Sequence, residues 1–258
     1  MLALAAVVIL VFGLWSIVIT DSMISGLIEN SLRDGTMSVE VVNLKKGLFF
    51  NLTLDRLILK KSGNTLLSIE NASGKINPLS LFIMRLTLYF SGDIAGGSID
   101  GRIDLFRRKN HIDMNIRNAH IEEIPFFALI GLDGKGVLSG VLRLENGEGE
   151  TRLEVKETEL KTGTFGGIAV PLEMFNSARV AIEIGSGTLR VVSFSLEGKG
   201  IYARIKGTIT GGATDLTMEL MPDKTFSESN PVFSLIQSYK VSPGFYSIPI
   251  KQQVIGDR

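Results

Sequence analysis

The chain has 258 residues, and its 27 lysines and arginines are balanced by 27 aspartates and glutamates, which removes the electrostatic footprint that a phosphate backbone demands and argues against a nucleic-acid partner. The absence of cysteine excludes a disulfide framework, a thiolate metal site and a cysteine nucleophile. A hydrophobic fraction of 45% against 21% charged residues excludes a disordered chain.

The opening "MLALAAVVILVFGLWSIVIT" carries no charge over residues 1–20, long enough at about 1.5 Å per residue to cross roughly 30 Å of hydrocarbon. No basic residue precedes it and "DSMISG" follows it, so the run reads as an uncleaved transmembrane anchor rather than a cleaved signal peptide. Trp15 sits toward its far end, where an interfacial aromatic is useful. Residues 21–35 follow as an amphipathic linker helix: Ile24, Leu27, Ile28 and Leu32 share one side, and Gly35 closes it. From residue 36 to 222 the apolar period becomes two, as in a β-sheet domain. Strands are expected at 38–44, 50–59, 85–90, 98–105, 111–116, 151–157, 179–184, 187–196, 201–210 and 215–220.

Turn signals such as "KSGN", "ENGEGE" and "TGGATD" separate these runs at the spacing of an antiparallel meander. Short helices fit 77–83, 123–132 and 230–239, with Pro78 and Pro125 suited to a helix start. Residues 223–258 read as a short helix and an extended tail, because Pro243 and Pro249 forbid regular helix. Burying a Val, Leu or Ile is worth about 1.5–3 kcal/mol, so strands with one apolar face cannot leave it in water. The expected helices are too few and short to cover it. The sheet must close as a barrel, fold as a sandwich, or form a trough that meets lipid or a partner. The groove residues would then be Ile201, Ala203, Ile205, Ile209, Leu216, Met218 and Leu220.

The residues that could carry chemistry point elsewhere. In "SGDIAGGSIDGRIDL", residues 91–105, the glycines precede a strand rather than the helix that a dinucleotide phosphate requires. Gly92, Gly96 and Gly97 read as reversals and Gly101 as a bend or close approach. His111 and His120 lack a third ligand, Ser139 in "VLSGVL" has the wrong flanks for a nucleophile elbow, and Asp100 and Asp104 resemble ordinary strand carboxylates. No catalytic residue, metal or cofactor is expected, and the basic "FRRKNH" at 106–111 reads as a hairpin turn.

The order of several degenerate motifs carries a resemblance. After the anchor come the post-anchor helix, the strand pair around "KKGLFFNLTLDRLIL", the "INPLSLF" helix, the "GDIAGGSIDGRIDL" hairpin and the "GKGVLSGVLRL" hairpin, spanning residues 1–145. This arrangement resembles the AsmA-like envelope proteins, and is most similar to the protein N family of the type II secretion system. The resemblance implies a mainly β fold: an N-terminal transmembrane helix, then a curled, taco-like antiparallel meander with a few short helices and a greasy interior. It also implies a single-pass protein of the bacterial inner membrane with its bulk in the periplasm. The implied role is an accessory, non-catalytic component of type II secretion, with platform or secretin components as partners. The alternative is a lipid-binding or lipid-transfer protein whose partner is phospholipid.

Overall fold

The computed structural model describes residues 15, 19–31, 37–81, 85–106, 109–129, 132–161, 163–165, 168–170, 172–211 and 213–253. Most of the expected transmembrane run lies outside them, as do Gly35, Leu32 and Arg107–Arg108 of the expected basic turn. Among the described residues no helix is long and apolar enough to cross a membrane.

Helix α1 (Asp21–Ser31) is followed by β1 (Met37–Val42), the short β2 (Lys45–Lys46), a 3-10 turn at Leu48–Phe50, β3 (Asn51–Lys61) and β4 (Asn64–Ile76). After α2 (Pro78–Leu81) come β5 (Arg85–Ile94), β6 (Gly97–Phe106) and β7 (Lys109–His120). A 3-10 turn at Ile121–Glu123 and α3 (Pro125–Leu129) lead to β8 (Gly134–Glu145) and β9 (Glu148–Leu160). The connection after β9 carries a side hairpin, β10 (Gly163–Phe165) with β11 (Ile168–Val170), and a 3-10 turn at Leu172–Met174. Then follow β12 (Phe175–Gly185), β13 (Thr188–Gly198), β14 (Ile201–Thr210) and β15 (Ala213–Pro222). Helices α4 (Lys224–Ser229) and α5 (Val232–Leu235) precede β16 (Lys240–Ser242) and β17 (Phe245–Gln253).

The main strands form one 15-stranded antiparallel sheet in the order β1-β3-β4-β5-β6-β7-β8-β9-β12-β13-β14-β15-β17-β16, with β2 beside β3. The sheet is not closed, since β1 and β16 end its two sides; a barrel is excluded. It is a meander because two-residue turns join neighbours directly. Ser62–Gly63, Ala95–Gly96 and Asn146–Gly147 all take positive φ at both turn positions, the I′ geometry whose twist matches a hairpin.

The expected elements are largely present, with four differences. Strand β4 was absent from the period-two reading because its apolar phase switches: Ile76 and Ala72 share a face with Ile69 and Leu67 only because a bulge at Asn71 (φ 48°) inserts an extra residue. Strand β8 keeps its alternation, with Leu138, Leu142 and Leu144 on one face, but Gly136 and Gly140 occupy two positions of that face and thin its apolar pattern, so the strand shows only as the "GKGVLSGVLRL" hairpin of the resemblance. Only Ala95–Gly96 reverses the chain in the "SGDIAGG" stretch. Gly92 is instead inside β5, where a Cβ would lie 2.7 Å from the Ile69 side chain. Finally, the sheet runs past residue 222: Tyr246–Gln253 pairs with Ala213–Leu220, and Pro249 is tolerated because β17 lies near the sheet's edge.

The long strands of the main sheet turn most of their apolar residues to one face. One continuous cluster runs across it from Ile69 and Ala72 on β4 to Tyr246 and Ile248 on β17. The edge at β1 is blunted by α1, whose Glu29 Oε1 accepts a hydrogen bond from the Val41 amide at 3.0 Å.

Candidate functional site

The two ends of the strands differ. The long connections 121–133, 161–174 and 223–239 all leave from one, the loop end. Their apolar residues Ile121, Ile124, Leu172, Phe233 and Ile236 fold onto the apolar face and are buried there. Phe233 meets the Phe226 ring edge-to-face at a centroid distance of 6.0 Å and the Tyr246 ring at a tilt at 5.3 Å, tying the C-terminal helices to β17. The row of paired residues beneath them, Ala119–Leu138–Val155–Ala178–Leu196–Ala203–Leu220–Tyr246, is correspondingly buried or packed against the core.

At the opposite, turn end the tight hairpins after Glu145, Gly185 and Thr210 bring no covering segment. There the same face carries Ile103, Ile112 and Leu144, which pair in succession across β6, β7 and β8. Beyond Gly149 on β9 the row continues through Ile184, Leu189 and Ile209. A second row adds Leu142, Ile182 and Val191. These side chains are half-buried, and Leu189 is 40% exposed. None belongs to the packed core. The result is a band of branched aliphatic residues that begins buried at the loop end and comes into contact with solvent at the turn end.

Gly101 shapes the floor of this band. A Cβ there would lie 2.9 Å from the Phe90 ring, so the aromatic side chain covers the glycine on the neighbouring strand and takes the place of its missing side chain.

The turn end is also where the apolar N-terminal run arrives. The Trp15 indole donates to the Gly47 carbonyl at 3.0 Å and its ring lies 4.9 Å from that of Phe50. The Lys46 ammonium donates to the Trp15 carbonyl at 2.8 Å and to that of Ile19. Trp15, Ile24, Leu44, Phe50, Leu52 and Ile76 form a second buried cluster. Trp15 is thus a joint between the run and the sheet, a role that its place near the end of an apolar run did not reveal.

The structure places all seven groove candidates on the apolar face, on β14 and β15. Ile201, Ala203, Ile205, Met218 and Leu220 are sealed beneath the loop-end cover, and only Ile209 and Leu216 lie toward the open part. The open band on β6–β8, β12 and β13 was not singled out from the sequence. The signal that marks it is the uneven distribution of connection lengths: a two-residue turn is too short to fold back over the apolar residues beside it.

No family model, curated protein or solved structure matches this chain. The site is therefore read from its geometry, and the polar face offers the main competitor. Short side chains at Ser139, Ala181 and Ser193 leave a shallow depression of about 660 Å³ rimmed by Arg117, Arg152 and Arg179. Those guanidiniums are already engaged by Asp100, Glu150, and Glu154 with Glu197. Hydrogen bonds from Arg179 and Lys156 hold the Glu154 carboxyl below its ordinary range. The Ser139 hydroxyl accepts the Asn118 amide at 3.1 Å, a strand-bulge contact. His120 Nδ1 lies 3.9 Å from Glu122, His111 is exposed, and among the described residues no group of three or more such side chains could hold a metal.

The two carboxylates on β6 are separate ion pairs. Asp100 meets Arg117, while Asp104, 3% exposed, receives Arg85 and Arg102 at 2.7 and 2.6 Å. Burial alone would push the Asp104 carboxyl up. Hydrogen bonds from Thr87, Arg85 and Arg102 together hold it below the usual carboxylate range. A carboxyl whose folded pKa is depressed stabilises the fold above its unfolded pKa and loses that contribution as pH falls through the folded value. Asp104→Asn is therefore expected to cost about 1–3 kcal/mol at neutral pH. Urea unfolding should show the difference from the parent shrinking once the pH drops below about 4. A difference of the same size at pH 7 and pH 3 would contradict this.

Proposed function

We propose that this chain is a membrane-anchored, non-catalytic envelope protein whose sheet curls into an AsmA-like trough and shelters the acyl chains of phospholipid. The observation that carries the reading is the aliphatic band across β6–β8 and β12–β14: it is sealed at the loop end and half-exposed at the turn end, where Trp15 joins the apolar run to the sheet. Acyl chains fit such a surface because they form no hydrogen bonds and release water from branched aliphatic side chains, at roughly 25 cal/mol per Å² of apolar area covered. In this reading residues 1–20 span the inner membrane once, the bulk lies in the periplasm, and the open end faces the bilayer. The chain purified in mild detergent is expected to retain phospholipid, detected by mass spectrometry of an organic extract. Extracts free of phospholipid would remove the support for the trough.

A second reading, an accessory component of type II secretion acting with platform or secretin components, is favoured by the order of motifs over residues 1–145. It predicts that deleting the gene lowers exoprotein secretion and that the protein co-purifies with the platform or the secretin. Normal secretion without such an association would leave lipid sheltering as the surviving role.

A further inference from the structure

The turn end carries exposed hydrophobic residues that neither the core nor the aliphatic band uses. Leu48 is 73% exposed and Phe49 64%, both in the 3-10 turn before β3. Leu79, 74% exposed, lies on α2 after β4. The two connections are neighbours because Asn51 on β3 pairs with Lys75 on β4.

Both are held in shape. Phe49 and Phe50 take φ of 57° and 63°, a left-handed conformation that costs a bulky residue about 1–3 kcal/mol each. The outcome is that Phe50 enters the buried cluster beneath Trp15 while Phe49 points outward. On α2 the Asn77 side chain accepts the Leu79 amide at 3.1 Å, and the Asn77 carbonyl accepts the Ser80 hydroxyl at 2.7 Å. That turn keeps Ser80 buried and Leu79 out. Lys45 and Lys75, both exposed, flank the pair.

We propose that Leu48, Phe49 and Leu79 insert into the phospholipid bilayer and seat the turn end of the sheet on the membrane. The inference rests on reading residues 1–20 as the membrane anchor, and contact with that run is what selects a bilayer as the occupant. Trp15 lies within the uncharged run, which ends at Thr20. Gly47 and Phe50 touch Trp15 directly, so the loop holding Leu48 and Phe49 lies against the anchor itself. The exposed apolar side chains then meet acyl chains, and the flanking Lys45 and Lys75 reach back to the lipid phosphates with their stems along the apolar boundary. The open aliphatic band thereby faces the membrane interior rather than water.

The chain lacks cysteine, so single-cysteine variants of the full-length protein label at one place only. Leu48→Cys, Leu79→Cys and, at the loop end, the 80% exposed Leu235→Cys are each coupled to an environment-sensitive fluorophore. They are reconstituted in phosphatidylcholine–phosphatidylglycerol vesicles with or without shallow doxyl-labelled lipid. The expected result is a blue shift and loss of intensity with doxyl lipid at positions 48 and 79, and neither at 235. Positions 48 and 79 behaving like 235, with the protein retained on vesicles through alkaline carbonate washing, overturns the inference and leaves the anchor standing. Loss from the vesicles on washing overturns both. The lipid extract that tests the trough is a separate measurement, so its failure is distinguishable from either.

Discussion

Replacing Phe175 by alanine is expected to destabilise the protein by about 3–5 kcal/mol, the range for deleting a fully buried aromatic side chain. Phe175 opens β12 at the loop end and is 1% exposed within the continuous apolar cluster. Its backbone carbonyl accepts the buried Thr158 hydroxyl at 2.9 Å, so the residue also ties the start of β12 to the end of β9. Few neighbours can collapse into the vacated space, because Leu172 and Ile121 beside the same end are held by their own short turns. Urea unfolding of parent and variant under identical conditions measures the difference. A loss below about 1 kcal/mol would mean that the loop-end cover does not close over Phe175.

The second large effect concerns the open band. Leu144→Glu combined with Leu189→Glu places carboxylates on the half-exposed apolar face, where both side chains reach solvent and do not belong to the packed core. Folding should change little, because each carboxylate keeps its water. An acyl chain laid on the band would strip that water without supplying a partner, at a cost of at least a few kcal/mol. Since about 1.4 kcal/mol is a tenfold change in affinity, retained phospholipid is expected to fall by tenfold or more, while the urea midpoint stays near the parent value. Arg190→Gln, on the polar face opposite Leu189's side, serves as the control and should retain lipid. Undiminished phospholipid in the double variant would show that acyl chains do not use this band.

Much of the secondary structure was legible because it depends on local pattern. Alternation of apolar and polar residues marks "IYARIKGTIT" as a strand in any context, and the paired positive-φ turns at Ser62–Gly63 and Asn146–Gly147 follow from residues adjacent in the chain. The readings failed where a strand changes phase. The expected strands at 111–116 and 151–157 stop at the bulges of Asn118 (φ 53°) and Glu157 (φ 54°), whereas β7 and β9 continue to His120 and Leu160. An inserted residue moves every later side chain to the other position of the alternation. Only pairing with the neighbouring strand restores the face to which each belongs. β17 was obscured in the same way, because Pro249 argues against a central strand and the sequence does not state which strands are at the edge.

A strand-rich chain with one apolar face, an uncharged leading run and no thiol chemistry can be read from composition and from neighbours a few residues apart. The same local pattern marks β14 and β15 as apolar but not which part of them is covered. That depends on the assembled sheet, because cover is set by where connections land after strands far apart in the chain have paired. The long connections return to one end and bury Ile201, Ala203 and Leu220. The tight turns leave Leu144, Ile184 and Leu189 half-buried or exposed at the other. Burial is a property of the assembled sheet: a side chain loses water only when another segment occupies the space above it, and that segment can be remote in the chain.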